Sequence, residues 1–390
     1  MRSAVRSTIS FLLVLCVAFL LFGCAERHNS TGWVSRTGWY GSMSDTGYYY
    51  TTDYGILSYV DFKSSINVSL CQKIGCAHDD TETCEAILDS DRVLLWQDHL
   101  YYLDDDQYGT HLYRRDATGQ SLATIGTLCA DITEKERNIS VDVVDTLIAD
   151  GYLYYYASIS KGIQTEEGTN YTGTQDVIRC MDLSNGKETT IVESTDSRLE
   201  LFGVQGKNVL YSSLRLPEGL TDENATELLE NTTTKLIRKN MKTGEEKQLF
   251  EKRRSEYSSS IAFDGGKLYY LYYEGDERCN VVYDVDSSKE TRLSAGWLSV
   301  ISNRYALVRD RNFNYVLLDV ENDIRLPVSL DNARLAVQCA SSLGVILNRT
   351  DRTPEEGVGK FRRMAFVPLV ALEDGIQESD LIVFYQISIG

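Results

Sequence analysis

Gly151-Tyr152-Leu153-Tyr154-Tyr155, then Val177-Ile178-Arg179-Cys180-Met181-Asp182 with a turn to Gly186, then Glu188-Thr189-Thr190-Ile191-Val192, is one copy of a unit that recurs along the chain. Short runs with apolar and aromatic residues at period two, bounded by Gly, Asp, Asn and Ser, are the pattern of strands and turns, not of helices. The aromatic element returns as Gly47-Tyr48-Tyr49-Tyr50, His99-Leu100-Tyr101-Tyr102-Leu103, Asn208-Val209-Leu210-Tyr211 and Lys267-Leu268-Tyr269-Tyr270-Leu271. The element that follows it returns as Leu112-Tyr113-Arg114-Arg115-Asp116 up to Gly119 and Leu236-Ile237-Arg238-Lys239-Asn240 up to Gly244. Ser58-Tyr59-Val60-Asp61, Val281-Val282-Tyr283-Asp284 and Tyr315-Val316-Leu317-Leu318-Asp319 are further copies. A third apolar strand closes each unit.

The marker residues Asp61, Asp116, Asp182, Asn240, Asp284 and Asp319 are separated, by subtraction, by 55, 66, 58, 44 and 35 positions. The shorter separations match a propeller blade of roughly 40–50 residues, and the longer ones carry insertions. Leu335 to Ile389 lacks the marker but holds Leu343-Gly344-Val345-Ile346-Leu347 and Leu381-Ile382-Val383-Phe384-Tyr385, a last blade. The fold expected is all-β, a β-propeller of seven blades, with six or eight as the neighbouring counts. Radial repetition hides the apolar faces of small sheets against each other and leaves short edges. Only four Pro occur in 390 residues, which fits ladder-bonded strands. Most of the 25 Tyr read as blade-packing aromatics.

With these residues, positions 47–390 resemble the YWTD-like and Tol-type β-propellers, in particular a group of Gram-positive bacterial lipoproteins without assigned activity. The resemblance implies a propeller on a lipid tether and implies no reaction. Leu-Tyr-Tyr stands where the YWTD sequence would, so the ligand properties of receptor propellers do not carry over.

At the N-terminus, Arg2 and Arg6 precede an apolar run from Ile9 to Phe22, then Gly23-Cys24 and the polar stretch from Ala25. This is the grammar of an export signal, shorter than the roughly 18 residues of a spanning helix. Leu21-Phe22-Gly23-Cys24 resembles the bacterial lipobox, in which the Cys is the lipidated residue; that implies cleavage after residue 23 and acylation of Cys24. Phe22 stands where that family prefers a small residue, which leaves ordinary cleavage nearby or an uncleaved anchor as alternatives. Two or more acyl chains give stable anchoring, so the expected location is the extracytoplasmic face of the cell membrane. Residues 24–46, with Thr31-Gly32-Trp33 echoed by Thr37-Gly38-Trp39, read as a flexible tether.

The net charge is −18, and the export signal takes away two of the 39 basic residues and none of the 57 acidic ones. A nucleic-acid partner is excluded on this balance, and so is basic-patch adhesion to anionic lipid.

The most distinctive stretch is an insert at about 70–86, Cys71-Gln72-Lys73-Ile74-Gly75-Cys76-Ala77-His78, followed by Cys84. It resembles a Cys-x4-Cys-x-His-x5-Cys element of the same lipoprotein group, whose role there is not established. Three thiolates and an imidazole form the donor set of a tetrahedral zinc site that can order a loop too small for its own core. An oxidising compartment favours a disulfide instead, with Cys71–Cys84 or Cys76–Cys84 closing loops of comfortable size. Apart from Cys16 and Cys24 seven Cys remain, an odd number that cannot all pair within the chain. Cys180, Cys279 and Cys339 read as small buried hydrophobes, and Cys129 as a partner for the loop. Asp104-Asp105-Asp106-Gln107-Tyr108-Gly109 fails the calcium-loop test, because Arg115 stands where the bidentate Glu belongs; it reads as a hairpin tip. Residues 162–174 and 217–234 read as exposed insertions, with a short helix over Asp222–Glu230.

No Gly-x-Ser-x-Gly elbow, P-loop or dinucleotide fingerprint is present. The four His, at 28, 78, 99 and 111, all fall in the first third. No catalytic residue or organic cofactor is assigned, and zinc at the insert is the one candidate cofactor. The expected function is a membrane-anchored, non-catalytic propeller that binds a peptide, glycan or protein partner. Two alternatives stay open: a glycoside hydrolase using a carboxylate pair, and a passive subunit of an envelope complex.

Overall fold

A computed structural model of the chain describes residues 32–35, 41–52, 54–79, 84–88, 90, 92–106, 109–133, 139–165, 168–217, 232–293, 296–310, 312, 314–330, 333–352 and 359–388. The export signal 1–23, Cys24, most of the expected tether and the expected helix at 222–230 lie outside the described residues.

Among the described residues thirty strands form seven sheets, arranged as a seven-bladed propeller. A short first strand, β1 (Val34–Ser35), precedes the blades. Blade 1 is β2 (Gly41–Met43), β3 (Gly47–Thr51), β4 (Leu57–Asp61) and β5 (Asn67–Ser69). Blade 2 is β6 (Val93–Trp96), β7 (His99–Asp106), β8 (Gly109–Asp116) and β9 (Ala123–Thr127). Blade 3 is β10 (Ile139–Ala149), β11 (Tyr152–Thr165), β12 (Gly168–Asp182) and β13 (Glu188–Ser194). Blade 4 is β14 (Ser197–Gln205), β15 (Asn208–Arg215), β16 (Thr233–Asn240) and β17 (Glu246–Arg253). Blade 5 is β18 (Ser259–Asp264), β19 (Lys267–Glu274), β20 (Glu277–Asp284) and β21 (Lys289–Leu293). Blade 6 is β22 (Trp297–Val300), β23 (Tyr305–Arg309), β24 (Tyr315–Asp319) and β25 (Ile324–Ser329). Blade 7 is β26 (Ala333–Ser341), β27 (Gly344–Arg352), β28 (Gly359–Pro368) and, after a detour, β30 (Ile382–Ser388). On that detour β29 (Ile376–Gln377) joins blade 6, parallel to β25.

The aromatic strands are the second strand of each blade and are buried almost throughout: Tyr48, Tyr155, Leu268 and Tyr269 are fully buried. The fourth strands carry the charge and face solvent, as in the mostly exposed β17 and β21. The first strands touch their neighbours around the ring, so they line the axis. Asp106 pairs with Gly109, so the acidic run is a hairpin arm as expected. Residues 162–174 lie within blade 3, where the β11/β12 ladder continues through most of them, from Gly162 paired with Tyr171 to Thr165 paired with Gly168.

Each marker residue is the last of its blade's third strand and caps the turn that follows. Asp61 accepts from the Ser64 N–H at 2.7 Å, Asp116 from Thr118 at 2.9 Å, Asp182 from Ser184 at 2.8 Å, and Asp284 from Ser287 at 2.7 Å. Asn240 accepts from Lys242 at 3.0 Å, and Asp319 from Glu321 at 3.1 Å. A short side-chain acceptor that satisfies backbone N–H groups two or three residues on is what a turn here requires. The turn then needs a left-handed residue, supplied by Gly186 (φ 70°), by Gly244 (φ 74°), and without glycine by Ser288 (φ 57°). Blade 7 lacks the marker because β28 ends at Pro368 and the chain leaves for blade 6 instead of turning.

The turn donors hold the Asp61, Asp116 and Asp182 carboxyls below the usual carboxylate range, the hydroxyls of Ser64, Thr118 and Ser184 contributing most. At Asp284 and Asp319 burial acts in the opposite direction and is outweighed, at Asp284 mainly by the Ser287 donors of the turn and at Asp319 by Asn322 of the turn together with the Arg304 guanidinium. A carboxyl lowered in the folded state contributes stability that is full above its unfolded value, about 3.9, and is lost as pH falls through the folded value. The urea midpoint is therefore expected to hold above about pH 5 and to fall on acidification to pH 3. The triple variant Asp116→Asn, Asp182→Asn, Asp284→Asn keeps the turns, as Asn240 does, and should flatten that fall. An unchanged slope would rule the turns out as its source.

One expectation is corrected here. Residues 24–46 are not tether throughout, because β1 pairs with β14 through Val34↔Val204 and Ser35↔Gly203, and β2 pairs with β3. The axis offers β14 an open inner edge, and a chain passing along it gains ladder hydrogen bonds. Trp33 is buried against Phe263 at 5.5 Å, edge to face.

Candidate metal centre and axial cavity

The insert leaves β5 at Ser69 and returns to blade 1 before β6. Leu70 N–H donates to Leu57 O at 2.9 Å, Leu57 N–H to Ala86 O at 2.7 Å, and Leu88 N–H to Gly55 O at 2.9 Å. Both ends of the loop are thus tied to the start of β4. Between them the chain reverses at Gly75 (φ 75°) and His78 (φ 57°). Cys71, Cys76, His78 and Cys84 each turn one donor atom to a common point, and these atoms all lie within 4.8 Å of one another. The structure therefore brings together all four insert residues singled out in the sequence. The three cysteines are free thiols. His78 Nδ1 lies 3.2 Å from Cys84 Sγ, and its Nε2 lies 3.0 Å from Ser69 Oγ. Burial raises the Cys71 thiol, but the Lys73 N–H and the neighbouring thiols outweigh it and leave that thiol below its ordinary value. Burial pushes the Cys84 thiol up.

Cys129 belongs elsewhere. It is buried in the core between blades 2 and 3, where its N–H donates to Glu188 at 3.1 Å, and it does not join the loop. Glu188 also accepts from the Tyr155 hydroxyl and, at 3.3 Å, from Arg179, which donates to Asp131 at 2.5 Å. Burial raises the Glu188 carboxyl. Its oxygens are fully engaged, so it ties blades together and offers no free acid or base. Cys279 and Cys339 are buried as expected, whereas Cys180 is only partly so.

Sequence reasoning missed the axis. A cavity of about 520 Å³ lies between β1 and the first strands of blades 5, 6 and 7, walled by Trp33, Phe263, Leu298, Ile301 and Val337. A second, of about 570 Å³, adjoins it and includes Arg304, Tyr305, Leu369 and Glu373. Asp264, Ile301 and Ala340 line both. Asp264 ends β18, and Ser35 Oγ donates to its Oδ1 at 3.4 Å. Burial pushes its carboxyl up, against the N–H groups of Asn303 and Gly265 and the charge of Lys267. Arg304, which lines the second cavity, donates to Asp319 Oδ2 from Nε and Nη2 at 3.0 Å each. The arrangement is a pair of adjoining cavities of mixed lining, with Ser35, Ser299 and Gln338 beside the apolar residues of the first, Arg304 and Glu373 in the second, and Asp264 shared by both.

Among the described residues no helix is long and apolar enough to cross a membrane. No protein-family model matches the chain, and no curated protein matches it. Solved structures do. A puromycin hydrolase superposes with TM-score 0.55 at 10% identity, over 92% of this chain and 55% of that one. An oligogalacturonate lyase from Vibrio parahaemolyticus gives 0.52 at 12%, over 88% and 92%. A puromycin-hydrolysing peptidase from Mycobacterium tuberculosis gives 0.52 at 10%, over 87% and 54%. The chain spans about half the length of these peptidases. At such identities the likeness shows the fold alone. The class is a seven-bladed β-propeller with a Cys3His cluster on the connection between its first two blades.

Proposed function

We propose that the protein is a lipid-anchored extracytoplasmic binding module whose ligand enters the axial cavity and presents a cationic amine to Asp264. The observation that carries this is the placement of Asp264. A carboxyl raised by burial lowers stability at neutral pH relative to a neutral residue there, and it sits where two cavities meet. Titratable groups that cost folding energy inside a cavity concentrate at binding and catalytic sites. A carboxylate set among apolar residues such as Trp33 and Val337 and polar ones such as Ser299 and Gln338 fits an amine-bearing peptide or amino sugar. The lyase that matches over most of both chains is named for a glycan substrate, which keeps a glycan among the classes.

The test is thermal-shift screening of the full chain in detergent against basic dipeptides and amino sugars. A ligand at 100 times its Kd is expected to stabilise wild type by about 2.7 kcal/mol. Asp264→Asn should abolish that shift while leaving the unliganded protein as stable or more so. A ligand that still stabilises Asp264→Asn by the same amount overturns the site.

The glycoside hydrolase reading has one specific support: Asp264 and Glu373 both line the second cavity. It requires hydrolysis of an oligosaccharide that Glu373→Gln abolishes without weakening binding. The same screen run with reducing-end detection decides it.

A further inference from the structure

We infer that Cys71, Cys76, His78 through Nδ1, and Cys84 hold one zinc ion that fixes the connection between blades 1 and 2. Tetrahedral zinc with Zn–S near 2.3 Å and Zn–N near 2.0–2.1 Å places its donors about 3.5–3.8 Å apart. The four donor atoms already lie within 4.8 Å of one another, and His78 Nδ1 and Cys84 Sγ are at 3.2 Å, so small side-chain adjustments close the tetrahedron. A disulfide needs two of these groups and gives no reason for a third thiol and an imidazole at the same point.

The surroundings are those of a structural metal. His78 Nε2 faces Ser69 Oγ at 3.0 Å, an outer partner that fixes the ring and leaves Nδ1 for the ion. Three sulfurs and one nitrogen, with no carboxylate, suit zinc and exclude calcium and magnesium, which take oxygen donors. Four protein donors leave no open position for a substrate, so the site is structural and not catalytic. The loop also needs such a clamp, because its middle contributes little to the core: Ile74 at its tip is fully exposed, while Cys84 is buried at 2%.

The clamp joins two blades. Gln72 Nε2 donates to Thr118 O in the outer turn of blade 2 at 3.0 Å. In the same turn a Cβ on Gly119 would come within 2.6 Å of Leu70 O, so the two backbones are in contact. Zinc at the insert therefore holds the outer edge of blade 1 against that of blade 2.

The test is elemental analysis of the full chain, purified in detergent without reductant or chelator, together with non-reducing peptide mapping. About one zinc per chain is expected, with Cys71, Cys76 and Cys84 protected from alkylation until a chelator is added. The cobalt-substituted protein should show the visible absorption of tetrahedral thiolate coordination. Because a cysteine variant can fail to fold, Ser69→Ala is the informative substitution: zinc affinity should fall 10–100-fold while the propeller stays folded. Less than a tenth of an equivalent of metal, or a disulfide between any two of the three cysteines in the purified chain, overturns the site. An unaltered affinity in Ser69→Ala overturns the choice of Nδ1.

Discussion

Phe366→Ala is expected to destabilise the protein by about 3–5 kcal/mol and to loosen blades 1 and 7 together. The reason lies in how the ring closes. Blade 1 is built wholly from residues 41–69 and blade 7 wholly from residues 333–388, so no strand is exchanged across the seam. What holds the seam is a cluster of buried side chains: Tyr48, Tyr50 and Val60 from blade 1, and Cys339, Ile346, Met364 and Phe366 from blade 7. Phe366 stacks on Phe62 with centroids 3.9 Å apart and planes within 6°. Phe384 leans on Tyr48 and Tyr50 at 6.2 and 6.0 Å. Truncating Phe366 removes the ring that spans the seam and leaves a void that two separately built sheets cannot collapse to fill. Phe202→Ala, fully buried between blades 4 and 5, is the control; it should cost a similar amount without touching the seam. The measurement is urea unfolding with native-state hydrogen exchange. Exchange should accelerate in β3 and β27 of the Phe366 variant and in neither strand of the Phe202 variant. If β3 keeps its protection, or the loss is below 1 kcal/mol, the seam is held by something other than these rings.

The parts of this molecule that could be read from its sequence are the ones whose physics is local. The second and third strands announce themselves by aromatic alternation, and Asp182 or Asn240 by a turn that must be capped within three residues. The four donors of the insert lie within 14 positions, Cys71 to Cys84, so their meeting required only a loop to fold back. The first strands are a different matter. Leu199-Glu200-Leu201-Phe202-Gly203-Val204 changes register between Leu201 and Gly203, and the same irregularity interrupts Val143/Asp145, Ser260/Ala262 and Val337/Cys339. A bulge breaks the period of two on which strand recognition depends. With the first strands unread, the axis they line was unread as well, and nothing local to Asp264 sets it apart from the other 56 acidic residues of the chain. Trp33 was hidden for a related reason. Its partners lie about 170 to 230 positions further on, at Phe202 and Phe263, and the Thr, Ser and Gly around it carry no apolar period.

Trp33→Ala is expected to cost about 3 kcal/mol or more, the usual loss for a buried Trp, and also to weaken ligand binding. Both effects come from one strand. Trp33 packs on Phe263 and lines the first cavity with Val34 and Ser35, and Ser35 is the residue whose hydroxyl reaches Asp264. Gly203 is what lets β1 approach: a Cβ there would stand 2.8 Å from Val34 O and 2.5 Å from the Phe263 ring. Gly203→Ala should therefore displace β1 and press on the Phe263 ring, disturbing the same strand as Trp33→Ala without deleting a side chain. If lipidation falls on Cys24, Trp33 follows it by nine residues, and fully extended chain at roughly 3.3–3.6 Å per residue spans about 30 Å at most. The lipid would then hold the propeller close to the bilayer with the wall of its cavity on the tether itself. In the amine screen, Trp33→Ala and Gly203→Ala should each reduce the ligand-induced stabilisation at least tenfold in apparent affinity. Wild-type affinity in Gly203→Ala would show that β1 fills the axis without shaping the site.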